Sequence, residues 1–445
     1  MFKKICFCLT LAAGAPLWAQ VEPSATGGGF TLDDTQMMTP PPVSGTAYPV
    51  KVGSESRNNY LSMGAVFTAS YVDNLLLANA SSPISDETYS LLPTISLNRV
   101  TPRQAETLSY SSGFNFYQNT SELNGASQDG AGEYRIHFSP YAAFFVQDSY
   151  RQNSNLFNQS NPFTGSGPSG APSGSPSSVV IAPFENELEN SSTAGIYYQY
   201  GKNAMIGGSG SYQFSHFSTT AQAQGLDNGN TAGASGFFTR RLSRSQYVGA
   251  VYEFSKIVTH PITTYTLTHT AFGFYTRYLN ENFSISIMGG PEHATTWSPN
   301  ELQMGSWTPA VEGSFGWQTF RSNVTASFSH VVSGAGGFIG TYHANTANLS
   351  ARRMLSRVWT IGASADYALF KNINPNPDVV AFGSGGHTID GTAYVQRRIS
   401  ENLNAQAGYA FFHESYPFIS NSSYFPNSNR GFVSIEYRIH RPLGR

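Results

Sequence analysis

From Tyr60 onward, apolar and polar residues alternate with a period of two, in segments of roughly ten residues. That is the spacing of a strand with one face in apolar surroundings and the other in water. The clearest segment spans residues 431–440. There Val433, Ile435, Tyr437 and Ile439 share one face, and Ser434, Glu436, Arg438 and His440 share the other. Trp359, Ile361, Ala363, Ala365, Tyr367 and Leu369 form a second apolar face, opposed by Thr360, Gly362, Ser364 and Asp366. Val248, Ala250, Tyr252 and Phe254 form a third. Trp307, Val311, Phe315 and Trp317 form a fourth, opposed by Thr308, Glu312, Ser314 and Gln318. Aromatic residues tend to cap these faces, as interface girdles do.

The connections come in two kinds. Short ones share a pattern of an apolar residue, a small polar turn residue, and one or two further polar residues. Arg241-Leu242-Ser243-Arg244, Met354-Leu355-Ser356-Arg357 and Arg398-Ile399-Ser400-Glu401-Asn402 are examples. The small polar residue suits a tight turn because its side chain bonds the local backbone. These turns recur about every 40 residues, with one longer gap, and each interval holds two strands and one longer connection. The longer connections are rich in Asn, Ser, Gly and Pro, and the longest covers residues 153–186.

Short turns at one end and long loops at the other predict an all-β fold: a transmembrane, antiparallel, up-and-down β-barrel of about 18 strands, range about 16–20, over residues 59–445. Strands are expected to start near Tyr60, Glu87, Thr107, Ala131, Tyr141, Ser191, Ala204, Thr231, Gln246, Thr264, Phe283, Trp307, Val324, Tyr342, Val358, Thr388, Leu403 and Gly431. Those at Tyr141, Thr264 and Tyr342 have mixed faces.

Composition agrees with a barrel and excludes other classes. Charged residues make up 12% of the chain, about half the globular norm, whereas aromatics reach 14% and glycine 43 residues. Mean hydropathy is only −0.25, and past the first residues no run is long enough for a membrane helix. Lys3 and Lys4 followed by an apolar stretch and Leu17-Trp18-Ala19 read as a secretory signal peptide over residues 1–19. Residues 20–58 contain Gly27-Gly28-Gly29 and Pro40-Pro41-Pro42, with little to bury, and read as a disordered periplasmic tether. The compartment implied is the outer membrane of a Gram-negative-type bacterium. Both cysteines, Cys6 and Cys8, fall in the leader, so the mature chain would lack thiol chemistry and disulfides. A net charge of −2 points to no nucleic-acid partner.

No catalytic elbow, phosphate loop, dinucleotide fingerprint or zinc-protease helix is present, so no enzymatic activity, cofactor or metal is expected. The ten histidines are scattered. Parity places Glu133, Arg135, Arg241, Glu312, Asp366, Asp390, Arg398, Glu436 and Arg438 on the bore face, as candidate pore-lining residues. Arginines crowd the short-turn end. A ring of them, with Arg241, Arg398 and Arg438 turned inward, would favour anions. The alternative is that they bridge neighbouring turns or snorkel, or that the bore carboxylates pair with them across strands and cancel the preference. At this girth, a bore stays water-filled unless a loop folds in. The segment 153–186 is the candidate constriction.

Tyr71-Val72-Asp73-Asn74, Leu91-Leu92-Pro93-Thr94-Ile95-Ser96-Leu97 and the run from Leu108 to Tyr117 resemble the opening strands of outer-membrane β-barrel porins that accompany exopolysaccharide export systems. Asp148-Ser149-Tyr150 and Ser154-Asn155-Leu156-Phe157-Asn158 add to the likeness, which covers residues 60–160 closely and the rest by rhythm. The resemblance implies a pore in outer-membrane lipid, passing polar solutes, saccharides or polysaccharide, with export-system components as partners. The competing expectation is a non-conducting surface barrel, an adhesin or structural protein acting through its extracellular loops. Nothing in the sequence marks a subunit interface, so the oligomeric state stays open.

Overall fold

The computed structural model describes residues 59–75, 83–101, 103–153, 187–217, 228–260, 264–280, 282–297, 304–333, 342–373, 385–415 and 427–443. The expected signal peptide and tether, and all of the candidate constriction except Asn153, lie outside the described residues.

Eighteen strands form one sheet. They are β1 (Asn59–Val72), β2 (Asp86–Val100), β3 (Gln104–Tyr117), β4 (Gly125–Ser139), β5 (Ala142–Asn153) and β6 (Glu187–Tyr200). There follow β7 (Ala204–Phe217), β8 (Asn228–Ser243), β9 (Gln246–His260), β10 (Thr264–Asn280), β11 (Phe283–Trp297) and β12 (Met304–Gln318). The last are β13 (Ser322–Ser333), β14 (Tyr342–Met354), β15 (Trp359–Asn372), β16 (Gly386–Arg398), β17 (Leu403–Ser415) and β18 (Asn427–Pro442). Each pairs antiparallel with its neighbours in sequence, and β1 also pairs with β18, from Tyr60↔Pro442 to Val72↔Arg430. The sheet therefore closes with no free edge, which a bilayer requires because lipid cannot satisfy exposed backbone groups. Both ends of the sheet lie on the short-turn side, where two to four residues join successive strands.

Alternation decides which face is wet. On β18, Val433, Ile435, Tyr437 and Ile439 are 48–58% exposed on the outside, whereas Ser434 and Glu436, pointing inward, are 2% and 6% exposed. The outer face carries large apolar residues from strand to strand, among them Phe67, Phe116, Ile196, Ile287, Trp307 and Leu349. In water this surface would cost far more than a soluble fold tolerates; in lipid it is the solvated state.

The expected starts at Ala204, Gln246, Thr264, Phe283, Tyr342 and Leu403 coincide with the observed ones. The largest displacement is at β4, expected from Ala131 and found from Gly125. Its opening residues, Gly125-Ala126-Ser127-Gln128-Asp129-Gly130, are small or polar on both faces and leave no alternation to read. They are strand because β3 offers a paired edge, up to Phe114↔Ala126 and Asn115↔Gly125.

Five glycines of the inner face lie directly opposite aromatic residues in the register: Gly195↔Phe145, Gly207↔Phe237, Gly249↔Phe274, Gly362↔Tyr394 and Gly408↔Phe432. In each pair the ring lies where a Cβ of the glycine would be; at Gly195, Phe145 Cζ sits 2.6 Å from that position. The missing side chain lets the ring lie against the wall rather than project into the bore.

One stretch of wall is held differently. The β12–β13 ladder stops at Val311↔His330. Two residues further along that register, Pro309 would face Val332, and proline brings no N–H. Instead, Glu292 reaches from β11: its Oε2 accepts the Val332 backbone N–H at 2.9 Å and its Oε1 accepts the Thr270 hydroxyl at 3.2 Å. Glu292 is 3% exposed, so Glu292→Ala strands a buried N–H and is expected to cost about 2 kcal/mol. Glu292→Gln keeps an acceptor and is expected to cost less than half of that. The unfolding midpoint of the refolded variants in urea measures the difference.

Candidate functional site: the bore wall

The bore wall is built by the inward-facing half of each strand, and hydroxyls dominate it. Cross-strand pairs join Ser70 to Thr88 (2.6 Å), Ser255 to Thr268 (2.6 Å), Thr276 to Ser286 (2.6 Å), Thr266 to Thr296 (2.9 Å), Ser329 to Thr346 (2.6 Å) and Ser434 to Thr68 (2.8 Å). Each hydroxyl satisfies its neighbour, so these rows are polar without being charged. Between these rows lie apolar patches. Ala143, Phe145, Tyr197, Met205 and Tyr247 form one, with Phe237 and Tyr278 against it. Val251, Phe272, Phe274, Met288, Ala310 and Val331 form another.

All nine candidate pore-lining residues occupy inward positions in the register, and the structure separates them into three groups. Two carboxylates hold arginines of their own strand: Arg135 Nη2 lies 3.1 Å from Glu133 Oε1, and Arg438 Nη2 lies 2.7 Å from Glu436 Oε1. Glu436 also accepts from Asn404 Nδ2 at 3.2 Å. These pairs are two residues apart on one face, where side chains of an extended strand stand close enough to meet. Arg241 and Arg398 are occupied by turns. The Arg241 guanidinium donates to Asn203 Oδ1 at 3.0 Å and to the Lys202 carbonyl at 2.9 Å; Arg398 Nε donates to the Ser400 carbonyl at 3.3 Å. The expected positive ring is thus a set of clamps and ion pairs. The third group is acidic: Asp366 faces Asp390 across β15–β16, and Glu312 lies on β12.

The full register adds residues that sequence parity missed. On β2–β6, Asp86, Asp129, Glu133, Glu187 and Glu189 face inward with Arg135 and Arg151. On β7–β12, Glu253, Glu292 and Glu312 face inward with Arg241. On β13–β18, Asp366, Asp390, Glu414 and Glu436 face inward with Arg352, Arg398, Arg430 and Arg438. Twelve carboxylates therefore share the inner face with seven arginines and no lysine among the described residues. Arg151 bridges two of them across strands, 3.4 Å from Asp129 and 3.2 Å from Glu189. Among the described residues, the sector β9–β12 carries three carboxylates and no cation on its inner face. Glu253 was legible, because it stands opposite the apolar face Val248, Ala250, Tyr252 and Phe254. Arg430 and Glu414 sit at strand ends next to residues outside the described set, where alternation was too short to assign.

An even-numbered, closed antiparallel barrel with an apolar outer belt, a polar bore and short turns at one end is a transmembrane β-barrel of the Gram-negative outer membrane. The chain matches no protein-family profile and no curated protein sequence. Among solved structures it is similar to the outer membrane protein OpdK from Pseudomonas aeruginosa, at 9% identity and a TM-score of 0.41, over 86% of this chain and 99% of that one. Pseudomonas aeruginosa OpdO gives 8% identity and 0.42, over 86% and 97%. The FrpB iron transporter of Neisseria meningitidis gives 8% and 0.40, over 86% and 81%. The class stands on the closed register and the two faces of the sheet, to which these likenesses add no argument.

Proposed function

We propose that this barrel is a passive channel for small polar solutes, and that hydroxylated ones such as saccharides are its best passengers. The observation carrying this reading is the combination of paired hydroxyls with aromatic rings laid against the inner wall. A sugar presents a ring of hydroxyls and apolar C–H faces. Hydroxyl rows exchange hydrogen bonds with the first, and flat rings pack against the second. Selection then rests on passage and weak contact. The likeness to porins of exopolysaccharide export extends the proposal to a longer saccharide and to export-system partners.

The test is reconstitution of the purified protein. In planar bilayers it should give discrete conductance steps, and vesicles containing it should swell in iso-osmotic neutral monosaccharide. A folded barrel that neither conducts nor swells vesicles would overturn the reading in favour of a surface barrel acting through its loops.

A further inference from the structure

Eight of the ten histidines lie on the lipid-facing wall. Of the ten in the chain, His137 and His440 sit near the short-turn end and point inward. The other eight all point outward and all lie toward the long-loop end. His269 and His293 face each other across β10–β11. His330 stacks on His343 of the neighbouring strand, with centroids 5.7 Å apart and planes 9° apart; His387 and His413 lie 5.3 Å apart across β16–β17. His216 on β7 and His260 on β9 continue the same collar.

The charges around the collar have one sign. On the outward face of β7–β18, the long-loop end adds Lys256, and Lys371 directly opposite His343. The short-turn end adds Arg240, Arg277, Arg353, Arg397 and Arg441. No carboxylate lies on that face among the described residues. The nearest are Asp73, just past β1 and bonded to Asn429 of β18, Glu87 on β2 and, on the other side, Asp148 on β5, bonded to Asn190 and Ser192 of β6. The neutral partners of the imidazoles are Tyr252 on His269, Asn345 on His330 and Asn427 on His413, at 2.7–2.8 Å, each through Nδ1. Trp307 packs on His293 at 4.6 Å and marks the level of the aromatic girdle.

We propose that the outer wall of β7–β18 is a docking surface for anionic, phosphate-bearing lipids of the outer leaflet. Acyl chains lie on the apolar belt, and phosphates meet the histidine–lysine collar. The occupant follows from position and charge. The collar stands on the bilayer side of the wall at headgroup depth, next to an apolar belt that takes acyl chains, and its charge can only be positive or zero. A protonated imidazole carries the same sign as Lys256 and Lys371, so acid can only strengthen the hold. The inference needs the barrel to span a bilayer and is independent of whether the bore conducts.

The test uses the full chain with Trp307 as its single tryptophan, in bilayers of phosphatidylcholine mixed with brominated phosphatidylglycerol. That phosphodiester keeps one negative charge across the range used, so any pH dependence belongs to the protein. Quenching of Trp307 should report a preference for the anionic lipid that rises roughly fivefold from about pH 8 to about pH 5.5, the effect of one added cation at a headgroup. Replacing His269, His293, His330, His343, His387 and His413 by Gln should abolish the rise and leave the preference at pH 8 unchanged. Should that variant not fold, the pair His330→Gln and His343→Gln should diminish the rise. A preference that does not change with pH, or a rise that survives the substitutions in a folded barrel, overturns the proposal.

Discussion

Leucine at Gly207 is expected to lower both the stability of the barrel and its conductance. The Phe237 ring occupies the space where any side chain at Gly207 must begin. The Ile196 backbone carbonyl, 2.8 Å from that position, blocks the other side. A branched side chain therefore drives the ring off the wall and into the bore. Overpacking of this kind costs about 1–3 kcal/mol, and the displaced ring narrows the pathway. The control is Gly210→Leu, on the lipid face of the same strand, where the nearest atom to the new Cβ is 3.8 Å away. That variant should fold and conduct like the parent. Phe237→Ala in the Gly207→Leu background should restore conductance, and the double-mutant cycle should give a coupling of about 1–3 kcal/mol. Independent, additive effects would show that ring and glycine do not share one space.

The second large effect concerns ion preference. With twelve inward carboxylates against seven arginines among the described residues, three of those carboxylates on β9–β12, the bore should prefer cations. A carboxylate about 8 Å from a passing ion contributes roughly 0.5 kcal/mol in water-like surroundings. Each carboxylate acts with opposite sign on cation and anion, so Glu253→Gln with Glu312→Gln removes roughly 2 kcal/mol of discrimination and should reduce the cation-to-anion permeability ratio by about thirtyfold at low salt. Reversal potentials in a salt gradient measure it. Glu292 is left intact in this variant because it also ties Val332 into the wall. Arg241→Gln and Arg398→Gln should leave the ratio nearly unchanged, since both guanidiniums already serve the turns. An anion-preferring parent channel would restore the arginine ring as the controlling feature.

Much of this architecture was legible because a strand between lipid and water must alternate. Trp359 to Leu369 and Val433 to Ile439 show their strands, face included, in the sequence alone. The alternation fades where the bore itself is apolar. On β10, Phe272 and Phe274 point inward while His269 and Arg277 point outward, so both faces look mixed. Only the register explains it: Phe274 fills the space over Gly249 and joins an inner apolar patch. The pore-lining candidates were legible as a face but not as a circuit. Parity places Glu133 beside Arg135, yet nothing in the sequence says that Arg241 will spend its guanidinium on Asn203 and Lys202, residues of a different hairpin. The histidine collar was invisible for the same reason: eight residues spread from 216 to 413 become one band only when the strands are set side by side.

The glycine–aromatic pairs bear on how such a wall is put together correctly. A two-residue turn leaves its strands little freedom to slide, but a connection such as that from Asn153 to Glu187 imposes no alignment at all. All five pairs lie between strands joined at the long-loop end: β5–β6, β7–β8, β9–β10, β15–β16 and β17–β18. Sliding β8 along β7 by one same-face step would press Phe237 onto Met205 or Ser209 instead of the vacancy at Gly207. Each ring thus works as a key that fits one notch; in the four hairpins with connections of ten residues or more it proofreads an alignment their length leaves open, and in β9–β10 it reinforces a three-residue connection.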